Sequence, residues 1–249
     1  MKSKLYSEKE SLDSISDNYI PIDLSAQDRI MRELCVKTFK PYIKKGYALE
    51  LGCSDGYMTE LLSRLVARMD VVDGSKKFIS KAKLRNLSNV RFIHSLFEEY
   101  KKESLYDYVF ATYIMEHIND PQQVLKIISD LIKPEGLLFV VVPNARALSR
   151  QLALHMGLID SLYDLTENDL RHGHRRVYDR IRLNQELTRA GFSIVSQGGI
   201  LLKLLADFQM EKLIQTGILQ EPQINGLYSI GFEYPDLCGS IFSICSAAQ

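Results

Sequence analysis

The chain has 249 residues, enough to bury the core of one large α/β domain. Lysine plus arginine number 31, as do aspartate plus glutamate, so no net charge attracts the protein to nucleic acid or a membrane, and a small molecule is the expected partner. The four cysteines form no Cys-x-x-Cys pair, which argues against a zinc site and a disulfide framework and predicts reduced thiols in a cytoplasmic protein.

The amino-terminal segment, residues 1–45, is predicted to contain an arm and one helix. Its start, MKSKLYSEKE, lacks the apolar core of a signal peptide, and no later apolar run approaches the about 18 residues of a membrane span. A soluble protein, monomeric or homodimeric, is therefore expected. Residues 1–20 are polar and irregular, which predicts a mobile arm. Ser25 is a suitable helix N-cap, and the helix should end at Pro41.

A glycine-containing loop follows the first apolar strand, in the stretch ALELGCSDG from Ala48 to Gly56. Such a loop between a strand and an amphipathic helix lets a small ligand approach the backbone closely. The dinucleotide fingerprint Gly-x-Gly-x-x-Gly, counted from Gly52, would need glycine where Ser54 and Tyr57 stand, so the spacing disfavours a dinucleotide cofactor. A plain strand-turn-helix without a ligand is the structural alternative.

A second pattern, an acidic residue followed by small residues at every second position, matches Glu50, Gly52, Ser54 and Gly56. This pattern resembles the first motif of class I S-adenosylmethionine-dependent methyltransferases, with serine in place of one frequent glycine. The resemblance implies S-adenosylmethionine as the cofactor. It assigns these loop residues to cofactor binding: Glu50, Gly52, Cys53, Ser54, Gly56 and Tyr57. In this family the preceding helix often lies over the cofactor, although it can also simply pack on the edge of the sheet.

The second predicted strand, Met69 to Asp73, ends in an acidic residue about 20 residues beyond the glycine loop. At that position of a nucleoside-binding α/β fold, a carboxylate accepts hydrogen bonds from both ribose hydroxyls, which assigns Asp73 and the adjacent Gly74 to the cofactor site. Asp73 could instead cap the following helix. The third strand is predicted at residues 90–94. The resemblance places Leu96 and Phe97, which follow this strand, at the adenine. An ordinary core position is the alternative for the aromatic one.

The stretch YDYVFATYIMEHINDP, from Tyr106 to Pro121, contains a buried parallel strand and the start of the next helix. The segment between them lies at the carboxyl end of the strand, where open α/β sheets bind ligands. Methyltransferases that act on small molecules frequently show a similar hydrophobic-Glu-His-hydrophobic-x-Asp-Pro stretch. We expect Ala111, Thr112 and Tyr113 to line the methionine end of the cofactor. His117 is either an acid-base residue or one that orders neighbouring backbone.

The phrase KPEG followed by the apolar run LLFVVVP is similar to the fourth crossover of the family and supplies a turn and the fifth strand. The predicted fold class is α/β: a doubly wound, mostly parallel seven-stranded sheet with an antiparallel last strand, N-terminal helices and a lid insertion after the fifth strand. A single methyltransferase domain, residues 1–249, would comprise a cofactor-binding half at 46–144, the lid at 145–178 and the carboxyl-terminal half of the sheet at 179–249.

The predicted lid ends in the basic sequence RHGHRRVYD. Its guanidinium groups can hold a phosphate or carboxylate of the substrate and one imidazole can take a proton, although such a stretch is equally consistent with a solvated surface. The spacing His-x-His does not itself predict a metal site, because no further Cys or carboxylate ligand is recognisable beside it. The acceptor-binding candidates are Tyr19, Asn144, His172, Arg175, Arg176 and Tyr178.

These patterns predict an enzyme that moves the methyl group of S-adenosylmethionine to a hydroxyl or amine of a small, sugar-like or anionic metabolite. Methyl transfer from a sulfonium needs positioning, exclusion of water and, for a hydroxyl acceptor, a base. The catalytic candidates are Tyr113, His117 and His174, and no metal ligand is assigned. The alternatives are a non-catalytic S-adenosylmethionine-binding protein of the same fold and, disfavoured by the glycine spacing, a dinucleotide-dependent enzyme.

Overall fold

A computed structural model describes residues 8–19, 25–101 and 105–247. Seven strands form one sheet in the order β3-β2-β1-β4-β5-β7-β6, in which β7 runs antiparallel to both of its neighbours. The strands are β1 Tyr47–Leu51, β2 Arg68–Asp73, β3 Val90–His94, β4 Tyr106–Thr112, β5 Ile132–Pro143, β6 Phe192–Leu202 and β7 Cys238–Ala247. The α-helices of the described ranges are α1 Glu8–Ile15, α2 Ala26–Phe39, α3 Tyr57–Ser63, α4 Lys76–Lys83, α5 Pro121–Leu131, α6 Leu148–His155, α7 Glu167–Arg171, α8 Arg180–Arg189, α9 Asp207–Gln215 and α10 Glu221–Glu233.

Helices cover both faces of the sheet, which confirms the predicted fold class. Apolar residues of α2, α3, α4 and α10 pack on one face, and those of α5 and α8 pack on the other. The central strands β4 and β5 are apolar on both faces because neither face meets water: residues 109–111 and 138–142 are fully buried. None of the helices in the described part of the chain is both long enough and apolar enough to span a membrane.

Side-chain caps define several helix starts. The Ser25 side chain accepts a hydrogen bond from the Asp28 amide at 3.2 Å, which is the N-cap of α2 that the sequence predicts. At the start of α5, the Asp120 side chain accepts a hydrogen bond from the Gln123 amide at 3.1 Å. The cap of α4 is Ser75, whose hydroxyl oxygen accepts from the amide of the third helical residue. Asp73 is therefore not the N-cap of α4, and its carboxylate is left for another role.

The predicted mobile arm is wrong for residues 8–19. Residues 8–15 form α1, and Asp13 Oδ1 accepts a hydrogen bond from Ser75 Oγ at 2.6 Å. At the other end of this segment, Asn18 Nδ2 donates to the Arg171 carbonyl oxygen at 2.7 Å. Residues 1–7 and 20 lie outside the described residues. The polar side chains that suggested a mobile arm instead form hydrogen bonds, which connect this segment to the start of α4 and to the lid.

Two further elements differ in detail from the sequence prediction. The Pro-Glu-Gly stretch, predicted as a turn before the fifth strand, lies within β5. There the register with β4 shifts between Tyr106 paired with Ile132 and Tyr108 paired with Leu137. The helix α2 packs against α3 and α9, and Glu211 of α9 accepts hydrogen bonds from its first turn. Packing against neighbouring helices is thus an observed role of α2.

Candidate active site

The loop after β1 has a backbone that favours glycine. Gly52 and Gly56 have φ angles of +74° and +81°, and Ser54 has a φ of 47° despite its side chain. A Cβ atom added to Gly52 would lie 2.3 Å from the Ile114 Cδ1 atom. The Ile114 side chain, from the segment after β4, thus lies directly against the bare backbone of Gly52, and any side chain at this position would have to displace it.

Asp73 connects the loops that follow β1 and β2. Its Oδ2 atom accepts a hydrogen bond from the Cys53 amide at 2.8 Å, and its Oδ1 atom accepts one from the Ser75 amide at 2.7 Å. The side chain is 6% exposed, and burial raises its pKa. The Cys53 thiol also donates to Oδ2, at 3.4 Å, whereas Oδ1 retains a further lone pair for a ligand hydroxyl. The ribose contact predicted for Asp73 is compatible with this arrangement and stays a prediction.

Glu50 is a second buried carboxyl group at the same edge of the sheet. Its Oε2 atom accepts a hydrogen bond from Thr59 Oγ1 at 2.6 Å, whereas Oε1 has no hydrogen-bond partner among the described residues. Burial raises the pKa of Glu50 to about 8, and the charge of Asp73 adds to that increase. A cation placed at this edge would stabilise both carboxylates, because opposite charges interact strongly away from water.

The two adenine candidates lie on an apolar wall beside these loops. A Cβ on Gly74 would lie 3.0 Å from Leu96 Cδ2 and 2.5 Å from Leu12 Cδ1, and Phe97 Cζ lies 4.0 Å from the corresponding position on Gly52. Leu96 and Phe97 are thus brought to the edge that also holds the glycine loop. Leu12 of α1 was not predicted, because residues 1–20 contain no apolar periodicity that marks a core helix.

The residues at the end of β4 divide between the core and the site. Ala111 is fully buried in the core on the α5 side, and Thr112 is the last residue of the strand. Tyr113 has a φ of 55°, and its hydroxyl lies 3.0 Å from Ser240 Oγ and 3.7 Å from Cys35 Sγ. Burial raises the pKa of Tyr113 well above its usual value. A phenol that keeps its proton cannot act as a base, so Tyr113 is better suited to a positioning role.

Three side chains meet beyond Tyr113 and form what we call the Glu-His-His cluster: Glu116, His117 and His174. One potential ligand atom from each lies within 4.8 Å of the others. Glu116 is 2% exposed, and neither of its carboxylate oxygens has a hydrogen-bond partner among the residues that the structure describes. Burial raises the pKa of Glu116 to about 7 and lowers that of His117 to about 3. Sequence reasoning did not single out Glu116, although its place beside His117 was a signal.

Backbone and carboxylate oxygens orient both histidine rings of this cluster. His174 Nδ1 lies 3.0 Å from Asp169 Oδ1, and His117 Nδ1 lies 3.3 Å from the Gly173 carbonyl oxygen. A carbonyl or carboxylate oxygen only accepts hydrogen bonds, which places a proton on Nδ1 of each ring, so that Nε2 carries the lone pair of the neutral imidazole. The ring centroids are 4.7 Å apart. Two predicted catalytic residues are therefore adjacent, each with one nitrogen lone pair.

The arginines of the lid have partners within the protein. Arg176 donates hydrogen bonds to the carbonyl oxygens of Met115, Ile118 and Asn119. Arg175 donates to the His117 carbonyl oxygen at 2.8 Å and to a Glu8 carboxylate oxygen. These guanidinium groups hold the segment after β4 in place. Both guanidinium groups are thus engaged within the protein rather than directed at an acceptor.

Asn144 and Tyr178, two further acceptor candidates, are also engaged within the fold. Asn144 Nδ2 donates to the Cys238 carbonyl oxygen at 2.8 Å, and the Tyr178 hydroxyl donates to Glu186 at 2.6 Å. Both residues are buried, so that their polar groups join strands and helices rather than face a ligand. They too are left out of the proposed acceptor site.

Tyr19 and His172 lie between the two halves of the site. The Tyr19 ring is 5.2 Å from the Phe78 ring of α4 and 5.0 Å from the His172 ring of the lid. Burial raises the pKa of Tyr19, and the negative charges of Glu116 and Asp73 both add to the increase. The charges of Asp73 at the cofactor edge and of Glu116 in the Glu-His-His cluster thus both act on the Tyr19 hydroxyl. It remains an acceptor-binding candidate.

Comparisons with known proteins agree with this geometry. The sequence model of the family described as "Methyltransferase domain" matches residues 24–197. The ubiquinone biosynthesis O-methyltransferase of Pelagibacter ubique is 28% identical over 131 residues, which cover 51% of this chain and 55% of that protein. A malonyl-[acyl-carrier protein] O-methyltransferase of Bacillus anthracis is 34% identical over 93 residues, which cover 36% of this chain and 35% of that protein. The chain spans about half the length of the first of these curated relatives.

A solved structure shows the same fold. The N-methyltransferase NodS from Bradyrhizobium japonicum WM9, in complex with S-adenosylhomocysteine, superimposes with a TM-score of 0.62 at 13% identity, covering 97% of this chain and 98% of NodS. At that identity the likeness concerns the fold, whereas the family match spans more than half of the chain. The protein belongs to the class I S-adenosylmethionine-dependent methyltransferases.

Proposed function

We propose that this methyltransferase transfers the methyl group of S-adenosylmethionine to a hydroxyl oxygen of a small molecule. One observation carries the proposal: the Glu-His-His cluster, which can receive a hydroxyl group and its proton, includes two residues of the segment after β4, and Ile114 of the same segment lies against Gly52 of the cofactor loop. The names of the curated relatives, which are O-methyltransferases, support an oxygen acceptor.

The cofactor edge has the features that a sulfonium nucleoside requires. Gly52 presents bare backbone at the loop where any side chain would meet Ile114, and Glu50 keeps an oxygen without a partner among the described residues in a buried position. Bound S-adenosylmethionine supplies a methyl group activated by the sulfonium charge. Asp73 would hold the ribose, Glu50 would stabilise the positive charge, and Leu96 with Phe97 would pack on the adenine. Ser54 and Tyr57 stand where a dinucleotide fingerprint needs glycine, which supports a methyltransferase over a dinucleotide-dependent enzyme.

The acceptor side favours a hydroxyl over an amine. A hydroxyl must lose its proton during transfer, whereas a neutral amine attacks first and releases its proton afterwards. The cluster provides two imidazoles with free Nε2 lone pairs and an unpartnered carboxyl group for such an acceptor. Since Arg175 and Arg176 have internal partners, an anionic group on the acceptor is not part of the proposal. A neutral polyol or phenol fits the available groups.

The test is methyl transfer from carbon-13-labelled S-adenosylmethionine to a panel of sugars, phenols and primary amines. The chemical shift of the labelled methyl carbon distinguishes a methyl ether from a methylamine. We expect methyl ethers, and His174→Ala should lower kcat by about 10² to 10⁴ with unchanged cofactor affinity. Methylamine products would overturn the oxygen assignment. Tight cofactor binding without any product from the panel would favour the non-catalytic alternative.

A further inference from the structure

The Glu-His-His cluster has a donor set that its hydrogen bonds do not explain. Glu116 is 2% exposed, and its two oxygens have no hydrogen-bond partner among the described residues. A buried carboxyl group without a partner costs on the order of 1 to 3 kcal/mol, so such a group is rarely kept without a ligand. The positive charge of Arg176 acts on Glu116, yet its guanidinium bonds go to backbone carbonyls. The carboxylate is therefore free to bind something else.

The two histidines of the cluster are arranged as metal ligands usually are. Each ring donates its Nδ1 proton to an oxygen, His174 to the Asp169 carboxylate and His117 to the Gly173 carbonyl. Such outer contacts fix the tautomer and ring orientation of a ligating histidine and leave Nε2 for the ion. Asp169 is itself held by the Thr166 amide at 2.9 Å, within the capping box of α7. The orientation of His174 thus depends on a structured helix start.

We propose that Glu116, His117 and His174 bind one divalent transition-metal ion, and that this ion holds the acceptor oxygen. The second clause rests on the function proposed above, whereas metal binding itself does not. Two imidazoles and one carboxylate suit zinc, cobalt, nickel, manganese or iron(II), whereas magnesium and calcium prefer oxygen ligands. Three protein ligands leave coordination positions open, which is the arrangement of a catalytic rather than a structural site.

The dimensions of the cluster require only a small adjustment. The three ligand atoms lie within 4.8 Å of one another. Two donors of one tetrahedral ion with bonds of about 2.0 to 2.1 Å lie about 3.4 Å apart, so the side chains have to approach by at most about 1.4 Å when the ion binds. Rotation about side-chain bonds can supply that movement without a change in the backbone. The carboxylate that the His-x-His sequence lacked is Glu116, which arrives from the segment after β4.

The experiment measures binding of the metal alone. The purified full chain is treated with a chelator, separated from it, and titrated with zinc chloride by calorimetry and with cobalt chloride by visible absorption. We expect one ion per chain and the absorption bands of cobalt(II) in a low-symmetry nitrogen and oxygen environment. Glu116→Gln, which preserves shape, and His174→Ala should each weaken binding at least about tenfold, and Asp169→Asn about tenfold. The matched control is His155→Ala at the exposed end of α6.

Two results would overturn the metal site. One is wild-type protein without stoichiometric binding; the other is unchanged affinity in both Glu116→Gln and His174→Ala with native circular dichroism. A metal-free protein that methylates as fast as the zinc-loaded one would overturn the ion's role at the acceptor oxygen but leave the proposed function intact. Conversely, stoichiometric metal binding by a chain that yields only methylamines would keep the site and overturn the hydroxyl acceptor.

Discussion

The loop after β1 and the lid at residues 145–178 hold their charged side chains in opposite ways. At the loop, Glu50 is fully buried and has an oxygen without a partner among the described residues. In the lid, Arg150 donates to the Leu162 carbonyl oxygen at 2.7 Å and pairs with Asp169 at 3.4 Å. The lid is richer in charge, yet the guanidinium groups of Arg150, Arg175 and Arg176 are bonded within the protein.

The comparison shows that charge density is a poor guide to where a ligand binds. A charged group that already has several partners stabilises the fold and offers little to a ligand. A buried group left without a partner raises the free energy of the protein until a ligand satisfies it. In this protein Arg175 and Arg176 of the lid belong to the first kind, and Glu116 and the Oε1 atom of Glu50 belong to the second.

The largest expected effect contrasts one glycine from each region. Gly52 and Gly157 have similar φ angles of +74° and +70°, but a Cβ on Gly157 would meet nothing within 4 Å. Both valine variants carry similar backbone strain, whereas only Gly52→Val pushes a side chain against Ile114 at the cofactor edge and so narrows the approach of the cofactor. Gly52→Val should raise the dissociation constant of S-adenosylhomocysteine at least about 100-fold, or about 2.7 kcal/mol, and Gly157→Val should leave it unchanged.

Calorimetry measures both affinities after circular dichroism has shown that each variant folds. If the two variants lost the same affinity, backbone strain rather than access to the loop would be responsible, and the contrast between loop and lid would fail at this position.

The pH dependence of stability tests the buried charge of the loop. Glu50 has a pKa of about 8 in the folded protein against an ordinary value of 4.5, so between these values the folded state keeps a proton that the unfolded state has lost. Stability from this group is therefore present below the ordinary value and falls as pH rises, by about 1.4 kcal/mol per pH unit. Glu50→Gln mimics the protonated form and should remove that slope.

Urea denaturation of the ligand-free protein at several pH values within this window provides the measurement. Equal slopes in the wild type and in Glu50→Gln would mean that Glu50 is ionised in the folded protein.

In the lid, loss of an arginine should affect stability more than substrate binding. Arg176→Ala leaves the carbonyl oxygens of Met115, Ile118 and Asn119 without their donor, and should lower the free energy of unfolding by about 2 kcal/mol. The matched control is Arg171→Ala in the same basic stretch, with an exposed side chain and an expected change within about 0.5 kcal/mol. Unchanged stability together with a KM increase that shrinks as salt rises would show that Arg176 contacts the acceptor after all.

The smallest effect compares two carboxylates on the same strand. Asp73→Ala should weaken cofactor binding about tenfold, or roughly 1.4 kcal/mol, because the ribose loses hydrogen bonds and the Cys53 amide loses its acceptor. Asp70, which accepts from Tyr106 at 2.7 Å and pairs with Arg91, lies toward the opposite end of β2. Asp70→Asn should lower stability without changing cofactor affinity. Equal affinities of the Asp73 variant and the wild type, by calorimetry, would exclude Asp73 from the site.

Features that depend on nearby residues could be predicted from the sequence. The glycine loop, the acidic end of β2 and the caps at Ser25 and Asp120 each follow from a short pattern, because strand alternation and capping are local. The parallel pairing of β1 and β2 then brings Gly52 to Asp73, and the Gly52 amide donates to the Val72 carbonyl oxygen at 2.8 Å. The glycine loop and the acidic end of β2 thus belong to one strand-helix-strand unit.

Features that depend on contacts between distant residues could not be predicted from the sequence. The segment containing α1 is held by bonds such as Asn18 to Arg171, and a short polar helix has no hydrophobic period that would mark it. The Glu-His-His cluster joins the end of β4 to the lid, and no spacing rule relates Glu116 to His174. The internal partners of Arg176 are backbone carbonyls, which every residue has, so composition carries no information about them.

The position of β7 has a consequence for how the protein is made. Among the described strands, β6 joins the sheet only through β7, which follows it in the chain after two helices. During synthesis on the ribosome, β1 to β5 have all their partners except at one edge before β6 appears, and β6 must then wait for β7. We therefore expect a nascent intermediate in which the five parallel strands are folded and the β6 segment, Phe192–Leu202, is still unpaired. Chaperones would bind the exposed edges of such an intermediate.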